Sequence, residues 1–104
     1  MSVEQKGLTV TVHFGGGAEN LFGKKKDHKV CLPDAQNEWT LEKLIFWIRD
    51  NLLTEREELF LQNNTVRPGI LVVVNETDWE LLGNEKYKLC PDDQIYFIST
   101  LHGG

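Results

Sequence analysis

One amphipathic helix, with no second helix to pack on, constrains this chain more than any other feature. Leu41, Leu44, Ile45, Ile48 and Leu52 fall on a single stripe at helical spacing, flanked by Phe46, Trp47 and Leu53. Thr40 is a good N-cap, and Glu42 in the first turn suits the positive end of the helix dipole. The spacing predicts a helix from Leu41 that ends within 51–54. Such a stripe has to be buried, and a lone helix buries it against a sheet.

The rest of the chain supplies that sheet. Leu8, Val10, Val12 and Phe14 alternate with Thr9, Thr11 and His13, the period-two pattern of a half-buried strand, and Gly15-Gly16-Gly17 interrupts it. A second strand over Asp27–Leu32 turns Val30 and Leu32 inward. It pairs with the first through a long connection around Leu21-Phe22-Gly23, and Pro33-Asp34 ends it. Leu59-Phe60-Leu61 is a short apolar segment closed by Gln62-Asn63-Asn64, and Arg67-Pro68-Gly69 predicts a turn. Ile70–Val74 is a continuous apolar run expected as a central strand buried on both faces. Asn75–Asp78 reads as a turn, and Trp79–Leu82 as a short apolar piece broken by Gly83-Asn84. Tyr87-Lys88-Leu89 is expected as an edge strand, Pro91-Asp92-Asp93 as a turn and Ile95–Ile98 as the last strand. This order predicts an α+β fold of the β-grasp, ubiquitin-like type, in which a mixed sheet of four to five strands wraps one main helix. The expected organisation is one domain, 1–104, with a flexible C-terminal tail over 100–104.

Composition removes several function classes. Apolar residues make up 40% of the 104 positions and charged residues 26%, ordinary globular values, so a single core is affordable without staples. No apolar run reaches the roughly 18 residues of a membrane span, and Met1-Ser2-Val3-Glu4-Gln5-Lys6 lacks a signal-peptide core. The expectation is a cytoplasmic monomer without membrane contact. A net charge of −5 repels the phosphate backbone, so no direct nucleic-acid binding is expected. The run Lys24-Lys25-Lys26 with Lys29 reads as a solvated turn. Cys31 and Cys90 form neither a CxxC pair nor a metal spacing and read as free thiols in a reducing compartment.

Catalytic signatures are equally thin. The three glycines at 15–17 are followed by no GK[ST] and complete no GxGxxG spacing. His13, His28 and His102 lack zinc spacing, and no metal site is expected. Glu57-Glu58 and Asp92-Asp93 read as solvated pairs, and His102 has no nucleophile at a fixed offset. The chain is read as not an enzyme.

The informative segment is the tail, Thr100, Leu101, His102, Gly103 and Gly104, which directly follows the last predicted strand. Extended, these residues reach on the order of 17 Å from the body, at about 3.4 Å each, far enough to enter a channel in another protein. A carboxylate is a poor electrophile and has to be activated first, as an acyl-adenylate. An enzyme doing so must approach the carbonyl from one side and ATP from the other, and glycine offers no side chain in the way. Gly104 is therefore the expected modified residue. Gly103, His102, Leu101 and Thr100 are the expected grip of the activating enzyme. Two terminal glycines arise by chance in about one chain in 200, so the tail gains its weight from its place after the strand.

Longer motifs point the same way. Arg67-Pro68-Gly69-Ile70, the stretch Asn75-Glu76-Thr77-Asp78-Trp79-Glu80-Leu81-Leu82-Gly83 and the ending Phe97-Ile98-Ser99-Thr100-Leu101-His102-Gly103-Gly104 closely resemble the eukaryotic ubiquitin-related modifiers, sulfur carriers among the ubiquitin-like proteins. Phe14-Gly15-Gly16-Gly17-Ala18-Glu19 and Leu52-Leu53-Thr54-Glu55-Arg56 match as well, so the resemblance covers nearly everything from Leu8 onward. It implies that an E1-like adenylyltransferase and sulfurtransferase with a rhodanese domain adenylates Gly104 and converts it to a thiocarboxylate. A cytosolic tRNA thiolase complex then uses the sulfur for 2-thiolation of wobble uridine. The resemblance also implies attachment to lysines of target proteins, particularly under oxidative stress, and no cofactor of the chain's own, since ATP and sulfur come through the activating enzyme. Two positions depart from the pattern: Glu57 stands where proline is expected, and Cys90 precedes Pro91 where no thiol is expected.

Three other readings compete. An interaction module whose tail is not processed shares the fold. A small catalyst would need a nucleophile–base pair, which the sequence lacks. The small subunit of molybdopterin synthase shares both fold and terminal glycines, but Leu101-His102 and Asp78-Trp79-Glu80 favour the tRNA branch.

Overall fold

The computed structural model describes residues 7–33 and 38–101. Strand β1, Leu8–Gly15, buries every second residue as its alternation requires. It pairs antiparallel with β2, Asp27–Leu32, in a register running from Leu8↔Leu32 to His13↔Asp27. A 3-10 turn over Ala18–Phe22 fills the connection. Helix α1, Leu41–Asn51, begins where Thr40 Oγ1 accepts a 3.3 Å bond from the Lys43 amide. Leu41, Leu44, Ile45 and Ile48 are buried, and Leu52 caps the end half-buried. The small hairpin β3, Leu61–Gln62, and β4, Thr65–Val66, stands apart from the main sheet.

Strand β5, Ile70–Val74, the short β6, Thr77–Asp78, and β7, Gln94–Ser99, complete a five-stranded mixed sheet of order β2-β1-β7-β5-β6. β7 lies parallel to β1 and antiparallel to β5. This is the β-grasp: the sheet curves around α1, and the core lies between them. Four phenylalanines close a ring inside it. Phe14 stacks on Phe22 at 3.9 Å, Phe22 meets Phe60 edge-on at 5.1 Å, and Phe97 lies 5.7 Å from both Phe60 and Phe14. Burying a side chain of this size contributes about 1.5–3 kcal/mol by transfer alone.

Two sequence expectations need correction. Ile70–Val74 is a strand, but it is not central and not buried on both faces. The centre is β7, and Leu71 is 48% exposed. With one α-helix among the described residues, only one face of the sheet is covered, so β5 alternates like any half-solvated strand. Tyr87-Lys88-Leu89 forms no strand. It makes a single bridge, Thr40↔Lys88, with the Leu41 amide on the Tyr87 carbonyl (3.0 Å) and the Leu89 amide on the Trp39 carbonyl (2.8 Å), which pins the start of α1. The edge strand is β6, inside the stretch expected as a turn. The turn itself is confined to Asn75 and Glu76, both at positive φ (49° and 74°), the pattern of a tight hairpin.

Candidate functional site

Sequence reasoning places the site at the end of β7, and the structure describes its root. Arg67-Pro68-Gly69-Ile70 folds into the turn its composition predicts. Pro68 occupies the second position, Gly69 sits at φ 102°, and the Ile70 amide donates to the Arg67 carbonyl at 3.1 Å. The Arg67 amide donates to the Phe60 carbonyl at 2.8 Å, which ties the turn to the core.

Thr100 docks on this turn. Its amide (2.8 Å) and its hydroxyl (2.6 Å) both donate to the Gly69 carbonyl, extending the β5–β7 ladder one step past Ile70↔Ser99. Leu101 then lies over Gly69. A Cβ there would stand 2.5 Å from Leu101 Cδ2 and 2.8 Å from Cγ. Ser99 Oγ accepts from the Leu101 amide at 3.1 Å. On the β1 side Gly16, at φ 64°, presses its backbone against Ser99, and a Cβ there would overlap the Ser99 carbonyl. Thr100 and Leu101 are thus brought together with the Gly69 turn. His102, Gly103 and Gly104 lie outside the described residues.

Around this root the uncovered sheet face is apolar. Leu71 sits opposite Ile98 and Val73 opposite Tyr96, all on the face away from α1. Tyr96 stacks on His13 at 4.4 Å. His13 Nδ1 is 2.7 Å from Asp27 Oδ1 and its Nε2 is 2.8 Å from Gln94 Oε1, so both ring nitrogens are engaged and the ring clasps β1, β2 and β7. No local sequence signal separates a solvated Leu71 from a buried one.

The opposite end of β7 is polar and closed. Asp93 is 4% exposed, although the sequence reads Asp92-Asp93 as a solvated pair; only Asp92 is exposed. Asp93 Oδ2 accepts from Tyr87 Oη and from the Cys90 amide, and Oδ1 accepts from Asn75 Nδ2, each at 2.8 Å. Loss of solvent, and then the bond it donates to Asp93, push the pKa of the Tyr87 hydroxyl well above its usual value. Beside this end a cleft of about 340 Å³ is lined by Leu8, Trp39, Leu89 and Pro91, with a Lys88–Glu38 ion pair (3.1 Å) on its rim. Cys31 and Cys90 are exposed free thiols. Among the described residues, no three His, Cys, Asp or Glu side chains gather to hold a metal, and no helix is long and apolar enough to cross a membrane.

Comparison with known proteins fits this geometry. The family described as Urm1 (Ubiquitin related modifier) matches residues 9–104. The Bombyx mori ubiquitin-related modifier 1 homolog is 58% identical over 105 residues, covering 93% of this chain and 96% of its own. Homo sapiens ubiquitin-related modifier 1 is 56% identical over 97 residues, with the same coverage. The solution structure of Urm1 from Trypanosoma brucei, 38% identical, superposes with a TM-score of 0.78 over 97% of this chain and 100% of that one. With the motifs, the β-grasp sheet and the docked tail root in agreement, this chain belongs to the ubiquitin-related modifier family.

Proposed function

We propose that this chain is a cytoplasmic sulfur carrier that works as the substrate of an E1-like adenylyltransferase and sulfurtransferase with a rhodanese domain. The single observation that carries the reading is the family match running through Gly104, in a chain whose last strand leads into the exposed residues Thr100 and Leu101. The Gly104 carboxylate attacks the α-phosphorus of ATP and pyrophosphate leaves. A persulfide sulfur of the enzyme then attacks the carbonyl carbon and AMP leaves. A second thiol reduces the acyl disulfide, releasing the thiocarboxylate. ATP and sulfur arrive with the enzyme, and the chain needs no cofactor of its own. A cytosolic tRNA thiolase complex consumes the sulfur for 2-thiolation of wobble uridine. The carrier itself need not touch tRNA, which suits its charge of −5. The same activated carbonyl, met by a lysine amine in place of sulfur, gives an isopeptide bond to a target protein.

The test is to incubate the chain with ATP, the activating enzyme and a sulfur source, and to weigh it. The expected gain is the replacement of one oxygen by sulfur. Deleting Gly104 is expected to abolish that gain and to leave the melting curve unchanged, since β7 ends at Ser99. An intact chain that is never adenylated would sink the reading.

A further inference from the structure

We propose that Gly69 is a positioning residue for the C-terminal tail: its carbonyl and its missing side chain together set the direction in which the chain leaves the sheet, and so how Gly104 meets the activating enzyme. This inference rests on the reading of Gly104 as the activated residue.

Three observations converge on it. First, one carbonyl holds Thr100 twice, through the amide at 2.8 Å and the hydroxyl at 2.6 Å, which its two lone pairs allow. Second, Leu101 occupies the space that any side chain on residue 69 would fill, and the φ of 102° disfavours other residues there. Third, the platform is rigid. Pro68 fixes one torsion, the turn closes through Arg67 and Ile70, and the Arg67 amide is bonded to the carbonyl of the fully buried Phe60. On the other flank Gly16 lies against Ser99, so the exit is bracketed by two turns from β1 and β5.

Thr100 and Leu101 are exposed, and these contacts add little to the core. Their effect falls on recognition instead. Fixing one residue's backbone costs about 1–2 kcal/mol, and a tail root ordered in advance spares the enzyme that cost on binding. A loosened root therefore raises KM and leaves the chemical step alone.

The experiment is ATP–pyrophosphate exchange by the activating enzyme, with the full chain as the varied substrate. Thr100→Val is expected to raise KM about fivefold, the worth of one hydrogen bond, with kcat within about twofold. Thr100→Ser, which keeps the hydroxyl, is expected to restore the wild-type KM. Gly69→Ala is expected to raise KM about tenfold, and the double variant by less than the product of the two single effects, since the Thr100 and Leu101 contacts on Gly69 order the same tail root. Where Gly69→Ala does not fold, Gly69→Asn takes its place, because asparagine tolerates positive φ and still carries the obstructing Cβ. An unchanged KM in either single variant, a fall confined to kcat, or additive effects in the double variant overturns the proposal; additivity would mean that the enzyme reads Thr100 directly. If wild type supports no exchange at all, the reading of Gly104 falls and this inference falls with it.

Discussion

The two ends of β7 are held in opposite ways. At its start, Asp93 is buried and takes three hydrogen bonds from two segments, the turn at Asn75 and the stretch Tyr87 to Cys90, and Gln94 reaches both His13 and Asn75. At its end, Thr100 hangs from one carbonyl in an exposed position, and Leu101 rests on a glycine. One carboxylate buried away from water locks the first end, where losing its donors leaves it stranded. Contacts open to water hold the second, the Thr100 amide and hydroxyl on one carbonyl and the Leu101 side chain on a glycine.

The comparison breaks first at Asp93. Asp93→Ala strands the donors of Tyr87, Asn75 and Cys90, and is expected to cost about 3 kcal/mol, read as a lower urea midpoint with an unchanged slope. Activation per folded molecule should not move. A loss below about 0.5 kcal/mol would mean that this end is no tighter than the other.

Tyr87→Phe removes one donor and is expected to cost about 1 kcal/mol. It also carries a pH signature. The folded-state pKa of Tyr87 lies above its unfolded value of about 10. Its contribution is therefore fully present below that pH and is lost as pH rises through the folded value. Melting temperatures of wild type and Tyr87→Phe, followed from neutral to alkaline pH, should converge above about pH 10. Parallel curves would remove Tyr87 from the account.

The smallest effect belongs to the far end. Thr100→Val is expected to shift global stability by less than about 0.5 kcal/mol, checked by the same urea titration. A loss comparable to that of Asp93→Ala would erase the difference between the two ends.

What the sequence made legible follows the range of the forces involved. The alternation of Leu8 to Phe14, the Thr40 cap, the stripe of α1 and the Pro68-Gly69 turn are local, and each is found where its pattern put it. The terminal Gly103-Gly104 carried the functional reading because it is a chemical signal rather than a spatial one. What stayed hidden depends on partners far along the chain. A run such as Ile70–Val74 shows strand but not rank in the sheet, since β7 becomes its neighbour only on folding. Asp93 cannot be told from Asp92 until Tyr87 and Asn75 close over it. Gly69 reads as a turn residue, and nothing local reveals that Thr100, 31 positions away, hangs from it.

The seat of Leu101 on Gly69 also sets a leash. Three residues, His102 to Gly104, lie beyond that seat, and at full stretch they span about 10 Å. A catalyst holding the last carboxyl cannot stand off from the body. Under the proposed function its rim comes down beside the seat, where Leu71 is exposed and Ile98 half-buried. Under the proposed function, a protein with the same last residues on a longer lead would reach the pocket but bring no matching shore for the rim to land on.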